Sequence, residues 1–301
     1  MGKIILYYKF IPVEDPQALM QQQRNLCSDL NLKGRILISK HGINGTLGGN
    51  KLNLKKYINS NEESKLLKNV AYKWSDGAKD VFPKLSIKVR DEIITFDATD
   101  KIKVTKKGVV GAGKHIEAEA LHKLIEEKGD EVVFFDGRNN YESAIGRFKG
   151  AVLPNINKTK EFLDEIKSFK YDYLKNKTIV TYCTGGIRCE VLSTLLINNG
   201  FKNVYQLSGG IVNYCEKFGD SGLWEGSLYV FDRRMTINYS KQTKKLGTCV
   251  FCKLKTNRYI NCANKPCNLL FLCCNDCSAN EFCINEPKSA TIKVKLNLNT
   301  I

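Results

Sequence analysis

A glycine-rich turn in the middle of the chain carries a cysteine and an arginine between an apolar run and a helix-like run. The apolar run covers residues 178–182, and the turn that follows has the sequence Cys-Thr-Gly-Gly-Ile-Arg from Cys183 to Arg188. Backbone N–H groups of such a turn, and the N-terminus of the next helix, can point at the sulfur. With the charge of Arg188 they predict a stabilised thiolate, the nucleophilic form of cysteine. A buried structural cysteine beside a tight turn is the alternative.

Predicted strands and helices alternate around this turn. The predicted helices cover residues 117–128, 159–169 and 190–198, and the predicted strands cover residues 132–135, 178–182 and 203–207. This order favours a parallel sheet with helices on both faces. Cys183 would then lie at the carboxyl end of a strand, where such sheets bind ligands.

The first hundred residues have a different pattern. We predict strands over residues 4–11, 35–39 and 43–47, one or two strands over 85–95, and helices over 15–30 and 52–58. The resulting order β-α-β-β-α-β predicts a small ferredoxin-like or acylphosphatase-like sandwich.

The segment 40–49 of this sandwich is rich in glycine and other turn-forming residues. Its backbone could approach a phosphate closely, or its glycines could merely supply positive φ in a hairpin. The polar side chains in and beside it favour substrate contact, so we predict a substrate-binding role for Arg35, Lys40, His41 and Asn44.

Residues 98–114 form a lysine-rich connection in which three glycines disfavour a helix. We therefore predict a multidomain protein of mixed α/β and α+β class. Its parts are a ferredoxin-like or acylphosphatase-like domain (1–97), a linker (98–114), a parallel-sheet α/β domain (115–219) and a basic, cysteine-rich C-terminal extension (220–301).

The formal net charge of +16 is shared by all parts of the chain. Residues 1–100, 101–220 and 221–301 contribute +5, +4 and +7, which predicts a polyanionic partner, nucleic acid first. A lysine-rich genome is the alternative explanation. Neither a secretion signal nor an apolar stretch of membrane-spanning length occurs, so we expect a cytoplasmic protein with no membrane partner.

Eight of the twelve cysteines lie between residues 249 and 283. Two Cys-x2-Cys pairs predict a structural zinc site made by Cys249, Cys252, Cys274 and Cys277. A second set of four is Cys262, Cys267, Cys273 and Cys283. Reduced thiols that pack a small irregular module are the alternative to metal binding.

Several motifs carry a resemblance to known families. The cysteine turn and residues 136–142, 146–151 and 207–211 resemble signatures of rhodanese domains, in the order in which those domains have them. Residues 7–10, 32–36, 42–46, 183–190 and 230–234, with the cysteine-rich tail, resemble the YceA/TrhO family of rhodanese-containing tRNA uridine(34) hydroxylases.

This resemblance implies an acylphosphatase-like domain, a rhodanese domain and a C-terminal extension. It implies oxygen-dependent conversion of the wobble uridine of tRNA to 5-hydroxyuridine, with the anticodon region of tRNA and molecular oxygen as partners. By the same resemblance Cys183 corresponds to the active-site cysteine, and we predict Cys183 and Arg188 as catalytic residues.

The chemistry stays open at this level, because no flavin or redox-metal motif occurs in the sequence. Cys183 could add to C6 of the uracil while Arg188 stabilises the developing charge, or a Cys183 persulfide could act as reductant. A sulfurtransferase that passes on persulfide sulfur is the alternative enzyme. An RNA-binding protein whose rhodanese domain only supports the fold is the non-enzymatic alternative.

Overall fold

The N-terminal part folds into a five-stranded sheet with two helices. The computed structural model of the protein describes residues 2–78 and 81–279. The elements are β1 (Gly2–Phe10), α1 (Pro16–Asp29), β2 (Lys33–Ser39), β3 (Gly42–Asn50), α2 (Lys51–Glu62), β4 (Lys73–Gly77) and β5 (Leu85–Val89). Asp15 caps α1 by accepting from the backbone N–H groups of Gln17 and Ala18, and Asn50 caps α2 in the same way at Leu52.

The strand order β4-β1-β3-β2-β5 confirms the predicted fold class and corrects one strand. We expected the fourth sandwich strand within residues 85–95, but β4 at Lys73–Gly77 takes that place beside β1. The segment Leu85–Val89 is an added edge strand, parallel to β2, and no strand covers residues 90–95.

The connection to the central domain has strands of its own. The short strands β6 (Val104–Thr105) and β7 (Gly108–Val109) form a two-stranded antiparallel hairpin. The next strand, β8 (Lys114–Ile116), already pairs with the sheet of the central domain.

The central domain is the predicted parallel sheet with helices on both sides. Its elements are α3 (Ala118–Lys128), β9 (Val132–Asp136), α4 (Asn140–Ser143), β10 (Gly146–Phe148), α5 (Phe162–Lys167), β11 (Thr178–Tyr182), α6 (Ile187–Asn198), β12 (Asn203–Leu207) and α7 (Gly210–Phe218). The sheet order is β8-β12-β11-β9, and every pairing is parallel. All five residues of β11 are buried, as a strand covered on both faces requires.

The C-terminal part consists of short antiparallel pairs. The strand β13 (Trp224–Gly226) pairs with β10, β14 (Leu228–Tyr229) pairs with β15 (Thr236–Ile237), and β16 (Tyr259–Asn261) pairs with β17 (Leu270–Leu272). Because β13 continues the central domain through β10, the C-terminal part is joined to it by a shared ladder.

One hydrophobic core is shared between the first two domains. Phe10 and Phe96 pack into the same cluster as Phe135 and Phe162 of the central domain, and the Phe96 and Phe162 rings stack with centroids 5.8 Å apart. Burial of this apolar surface fixes how the N-terminal sheet meets the central domain. In the two described ranges of the chain, no helix is both long and apolar enough to cross a membrane.

Candidate active site

Cys183 follows directly on β11, and the next helix begins close to its sulfur. Gly186 has a φ of +97°, a left-handed conformation that glycine adopts without strain, and α6 starts at the following residue. This turn brings the Gly186 N–H to 3.2 Å from the Cys183 Sγ. The helix therefore starts three residues before the predicted helix at 190–198, and Arg188 lies in its first turn.

The surroundings of Cys183 favour its thiolate. Burial of the side chain opposes ionisation, but it is outweighed by hydrogen bonding from the Cys189 thiol, the charge of Arg188, and the backbone N–H groups of Arg188 and Gly186. Together they lower the pKa of Cys183 to about 5. Burial raises the pKa of Cys189, so this neighbour remains a thiol and can donate to the thiolate.

Arg188 is held in place by a buried carboxylate. Its Nη1 and Nη2 atoms donate to the two carboxylate oxygens of Glu142 over 2.6 Å and 2.7 Å, and the arginine is 4 % exposed. This bidentate pair fixes the plane of the guanidinium group and compensates its charge. Glu142 also accepts from the backbone N–H of Asn139, which ties the carboxylate to the start of α4.

A second buried ion pair supports this one. Arg138 donates from Nε and Nη2 to Asp136 over 2.9 Å and 2.6 Å, and its Nη2 also donates to the Gly146 carbonyl. Tyr182 donates its hydroxyl to the same aspartate over 2.8 Å. Since Tyr182 immediately precedes Cys183, these bonds fix the end of β11 from which the cysteine turn starts. Tyr182 is fully buried and belongs to the core of the central domain.

Cys183 lines a cleft that three parts of the chain build together. The cleft has a volume of about 1710 Å³, above the roughly 300–1,000 Å³ typical of small-molecule sites. Its basic lining residues are Arg24, Arg35, Lys84, Lys88, Arg90, Arg188 and Arg233, and its acidic ones are Asp91, Glu92, Asp97 and Asp232. Glu92 and Asp232 are already engaged, by backbone N–H groups and by Arg234 respectively. The cleft therefore suits an anionic polymer segment.

The comparisons with known proteins agree with this architecture. Residues 2–93 match the family model described as the UPF0176 acylphosphatase like domain, residues 117–217 match the rhodanese-like domain, and residues 225–286 match the rhodanase C-terminal model. The chain is 55% identical over 281 residues to the tRNA uridine(34) hydroxylase of Corynebacterium efficiens, covering 93% of this chain and 90% of that protein.

Two further relatives carry the same name. That of Corynebacterium jeikeium is 54% identical, with 96% of this chain and 92% of that protein covered. That of an Arthrobacter species is 51% identical, with 96% and 98% covered. This chain belongs to the tRNA uridine(34) hydroxylase family. The family and the fold class predicted from the sequence motifs are thereby confirmed.

The residues predicted to contact substrate in this family member lie in two places. Arg35 and Asn44 line the cleft, although the Asn44 side chain donates to the Ile93 carbonyl over 2.9 Å. Lys40 and His41 form the turn between β2 and β3, and their carbonyls accept from Val13 and Ile11. These two side chains are not among the lining residues of the cleft.

The N-terminal domain also contacts the cysteine turn from the side. Tyr8 donates to Glu190 over 3.0 Å, and its hydroxyl lies beside Gly186. Lys73 lies 4.9 Å from the centroid of the Tyr8 ring and is 8 % exposed; burial lowers its pKa to about 8, against the attraction of Cys183 and Glu190. A cation from another domain is thus close enough to act on the thiolate.

Sequence reasoning missed three residues of this site: Glu142, Lys73 and Phe231. Glu142 and Phe231 stand in motifs that carried the family resemblance, so a signal existed for them, but no partner could be assigned from the motif alone. Lys73 gave no signal, because it stands in a segment without strand-like alternation.

Four cysteine sulfurs come together in the C-terminal part. The Sγ atoms of Cys249, Cys252, Cys274 and Cys277 all lie within 4.8 Å of one another. Although burial raises the pKa of Cys249, backbone N–H groups of Cys274, Cys252 and Phe251 outweigh it and lower the value to about 6. The cluster has the ligand number and donor type of a structural metal site. Of the second predicted set, Cys283 lies outside the described residues, while Cys262 and Cys273 are buried in the small core of this module.

Proposed function

We propose that this protein hydroxylates C5 of the uridine at position 34 of tRNA, with Cys183 as the nucleophile. The observation that carries the proposal is a buried cysteine of lowered pKa that opens onto a large basic cleft, in a chain 51–55% identical to proteins named tRNA uridine(34) hydroxylase. We place the reaction in the cytoplasm and take molecular oxygen as the second substrate.

The anticodon loop of tRNA suits this cleft. Its bases are unpaired, so uridine 34 can turn toward Cys183 without the cost of opening a duplex. The basic residues of the cleft wall, among them Arg35 and Arg90, would contact the phosphates on either side. Arg35 and Asn44 keep their predicted substrate-binding role here, and Lys40 and His41, at the β2–β3 turn, would contact RNA beyond the cleft.

The thiolate can activate the base by addition. When the Cys183 sulfur bonds to C6 of the uracil, the C5–C6 π electrons move toward C5 and O4, and C5 becomes nucleophilic. After an oxygen atom bonds to C5, loss of the C5 proton and departure of the thiolate restore the ring. The net reaction replaces C5–H by C5–OH and reduces the second oxygen atom to water. It consumes two protons from solvent and two electrons, which a separate two-electron donor has to supply.

Arg188 has a positioning role in this scheme. Its charge is already compensated by Glu142, so it contributes a fixed donor group and part of the field that keeps Cys183 ionised. A persulfide on Cys183 would lie beside the same backbone N–H groups of Gly186 and Arg188, and for this reason we retain sulfur transfer as a second candidate function. A cleft of about 1710 Å³ is far larger than a small sulfur donor needs.

We further propose that Cys249, Cys252, Cys274 and Cys277 hold a structural zinc ion. Sulfurs bound tetrahedrally at a Zn–S distance of about 2.3 Å lie about 3.8 Å apart, and these sulfurs need only small movements to reach that spacing. The buried residues of the module's core are Phe271 and three cysteines, with Val250, Phe251 and Ile260 partly buried against them. So small an apolar core needs a cross-link for a stable fold.

Nucleoside mass spectrometry tests the catalytic proposal. tRNA is analysed from a deletion strain complemented with the wild-type chain or with Cys183→Ser. We expect 5-hydroxyuridine and its derivatives to disappear on deletion and to return only with the wild type. Unchanged nucleosides in a strain without a redundant pathway would refute hydroxylation, and thiosulfate:cyanide turnover by the purified protein would then support sulfur transfer.

A further inference from the structure

Phe231 is an exposed aromatic residue at the edge of the cleft. Its side chain is 57 % exposed, unlike the other aromatic residues of the chain that line the same cleft, Tyr8 and Phe82, which are half-buried or buried. An exposed phenyl ring contributes little to folding, because most of its apolar surface stays in water. Its placement near Arg188, in the wall of the cleft that Cys183 also lines, therefore points to a ligand.

The ring is held by its surroundings on one side. It packs edge-to-face against Tyr229, with centroids 5.2 Å apart and an interplanar angle of 82°, and the Arg188 guanidinium lies 6.0 Å from its centroid. Tyr229 is itself buried between Tyr141 and Tyr259. A supported ring with free surface toward a cleft has the properties of a stacking platform.

The backbone that carries Phe231 is fixed as well. It lies in the turn between β14 and β15, which the Val230 N–H closes by donating to the Met235 carbonyl over 2.9 Å. Arg234 forms a bidentate pair with Asp232 and donates to the Asp76 carbonyl of β4 over 2.6 Å. The turn is thus attached to the N-terminal domain, and little conformational entropy is lost when a ligand binds it.

We infer that Phe231 is the ring on which the uracil of uridine 34 stacks while its C6 meets Cys183. This inference rests on the proposed function and adds its base-positioning residue. Proteins commonly recognise an unpaired base by stacking it on an aromatic side chain. Arg188 packs beside the Phe231 ring and supports it on this wall of the cleft. Phe231 thereby selects for an unstacked base at this position and orients its plane.

Binding of two anticodon stem–loop RNAs to the full chain tests the inference. One RNA carries uridine at position 34 and the other an abasic site there, and both are titrated by fluorescence anisotropy. Stacking of one base predicts that the wild type binds the uridine RNA at least about fivefold more tightly. In Phe231→Ala this preference should fall to about onefold, and kcat/KM for hydroxylation should fall by the same factor.

Two variants serve as controls. Phe231→Trp retains a stacking surface and should keep the preference, which excludes damage to the turn as the cause. Phe169→Ala removes a phenyl ring that is 75 % exposed and does not line the cleft, and it should leave the preference unchanged.

The outcomes separate this inference from the proposed function. If the wild type modifies the RNA and Phe231→Ala keeps the preference for uridine, the stacking role of Phe231 is wrong and the hydroxylase proposal stands. The stacking role is also wrong, and the hydroxylase proposal again stands, if the wild type modifies the uridine RNA but binds it no more tightly than the abasic RNA. If the wild type neither binds nor modifies the uridine RNA, both proposals are wrong.

Discussion

The cysteine turn and the four-cysteine cluster lower the pKa of a thiol in related ways for different purposes. At Cys183, backbone N–H groups, a neighbouring thiol and an arginine act on one sulfur inside a large α/β core. At Cys249, backbone N–H groups act on one of four sulfurs in a module with almost no core. The first arrangement places one thiolate in the wall of a cleft. The second brings four sulfurs together, and a metal ion bound to them would stabilise a module whose hydrophobic core is small.

Substitution of one cysteine in each region should have the largest effects, and these effects should be opposite. We expect Cys252→Ser to release the metal and to lower the melting temperature of the C-terminal part, because metal binding supplies the folding free energy of so small a module. Metal content by mass spectrometry and thermal unfolding with and without a chelator measure this. Cys183→Ser is the reciprocal control, since it should abolish hydroxylation and keep one metal ion per chain. Equal metal content in both variants would contradict the zinc site.

The active site, unlike the described part of the cysteine-rich module, is held by a buried ion pair, that of Glu142 and Arg188. Glu142→Gln leaves the arginine buried without its charged partner, so we expect the free energy of unfolding to fall by about 3–5 kcal/mol. Urea denaturation measures it. The control Glu225→Gln breaks a pair with Lys244 whose lysine is 64 % exposed, and it should cost less than about 1 kcal/mol. Similar losses in both variants would show that Glu142 has no special structural role.

The hydrogen bond from the Cys189 thiol to Cys183 is one cause of the lowered pKa of Cys183. Alkylation of Cys183 by iodoacetamide should be slow below its pKa of about 5, rise through that pH and level off above it, because only the thiolate reacts. Cys189→Ala removes a donor to the thiolate and should move the midpoint up by about one pH unit.

Peptide mass spectrometry reports the alkylation rate at Cys183 alone. Cys215→Ala, which removes another buried thiol, is the matched control and should leave the midpoint in place. An unchanged midpoint in Cys189→Ala would show that Cys189 only fills space.

Lys73 should have the smallest effect on the same midpoint. Its charge comes from the N-terminal domain, and Arg188, not Lys73, is among the main causes of the lowered pKa of Cys183. Lys73→Met should raise the pKa of Cys183 by about half a unit, whereas the exposed Lys68→Met should not change it. A shift in Lys73→Met larger than that of Cys189→Ala would reverse this order and make the domain contact the main source of thiolate stabilisation.

The sequence predicted those parts of the fold in which a short local pattern determines one strand, helix or turn. The buried run of β11 and the glycines after it predicted the cysteine turn, and the order of strands predicted the parallel sheet. The strand β4 gave no such signal, because Lys-Trp-Ser-Asp-Gly is largely polar and pairs only with β1 at the sheet edge. The helix α6 begins at Ile187 and not at residue 190, because the left-handed Gly186 ends the turn and lets the helix begin at the next residue.

The candidate site was harder to predict because its contacts are long-range. Arg188 and Glu142 are 46 residues apart in the chain, and Tyr8 and Glu190 are 182 apart. No periodicity in the sequence reports such pairs. For the same reason Lys40 and His41 could not be distinguished from Arg35 by sequence reasoning, although only Arg35 of these three lines the cleft.

The hydrogen bonds of Tyr8 with Glu190 and of Arg234 with the Asp76 carbonyl join different parts of the chain. They limit which substitutions each part can accept without a matching change in its neighbour. A methyl group added at Gly185 would come within 2.5 Å of Leu6 in the other domain, so even the cysteine turn is shaped to its neighbour. Recombination that replaced one domain by a distant homologue would disrupt both the walls of the cleft and the hydrophobic core that the first two domains share. The three parts must therefore be inherited and varied as one unit.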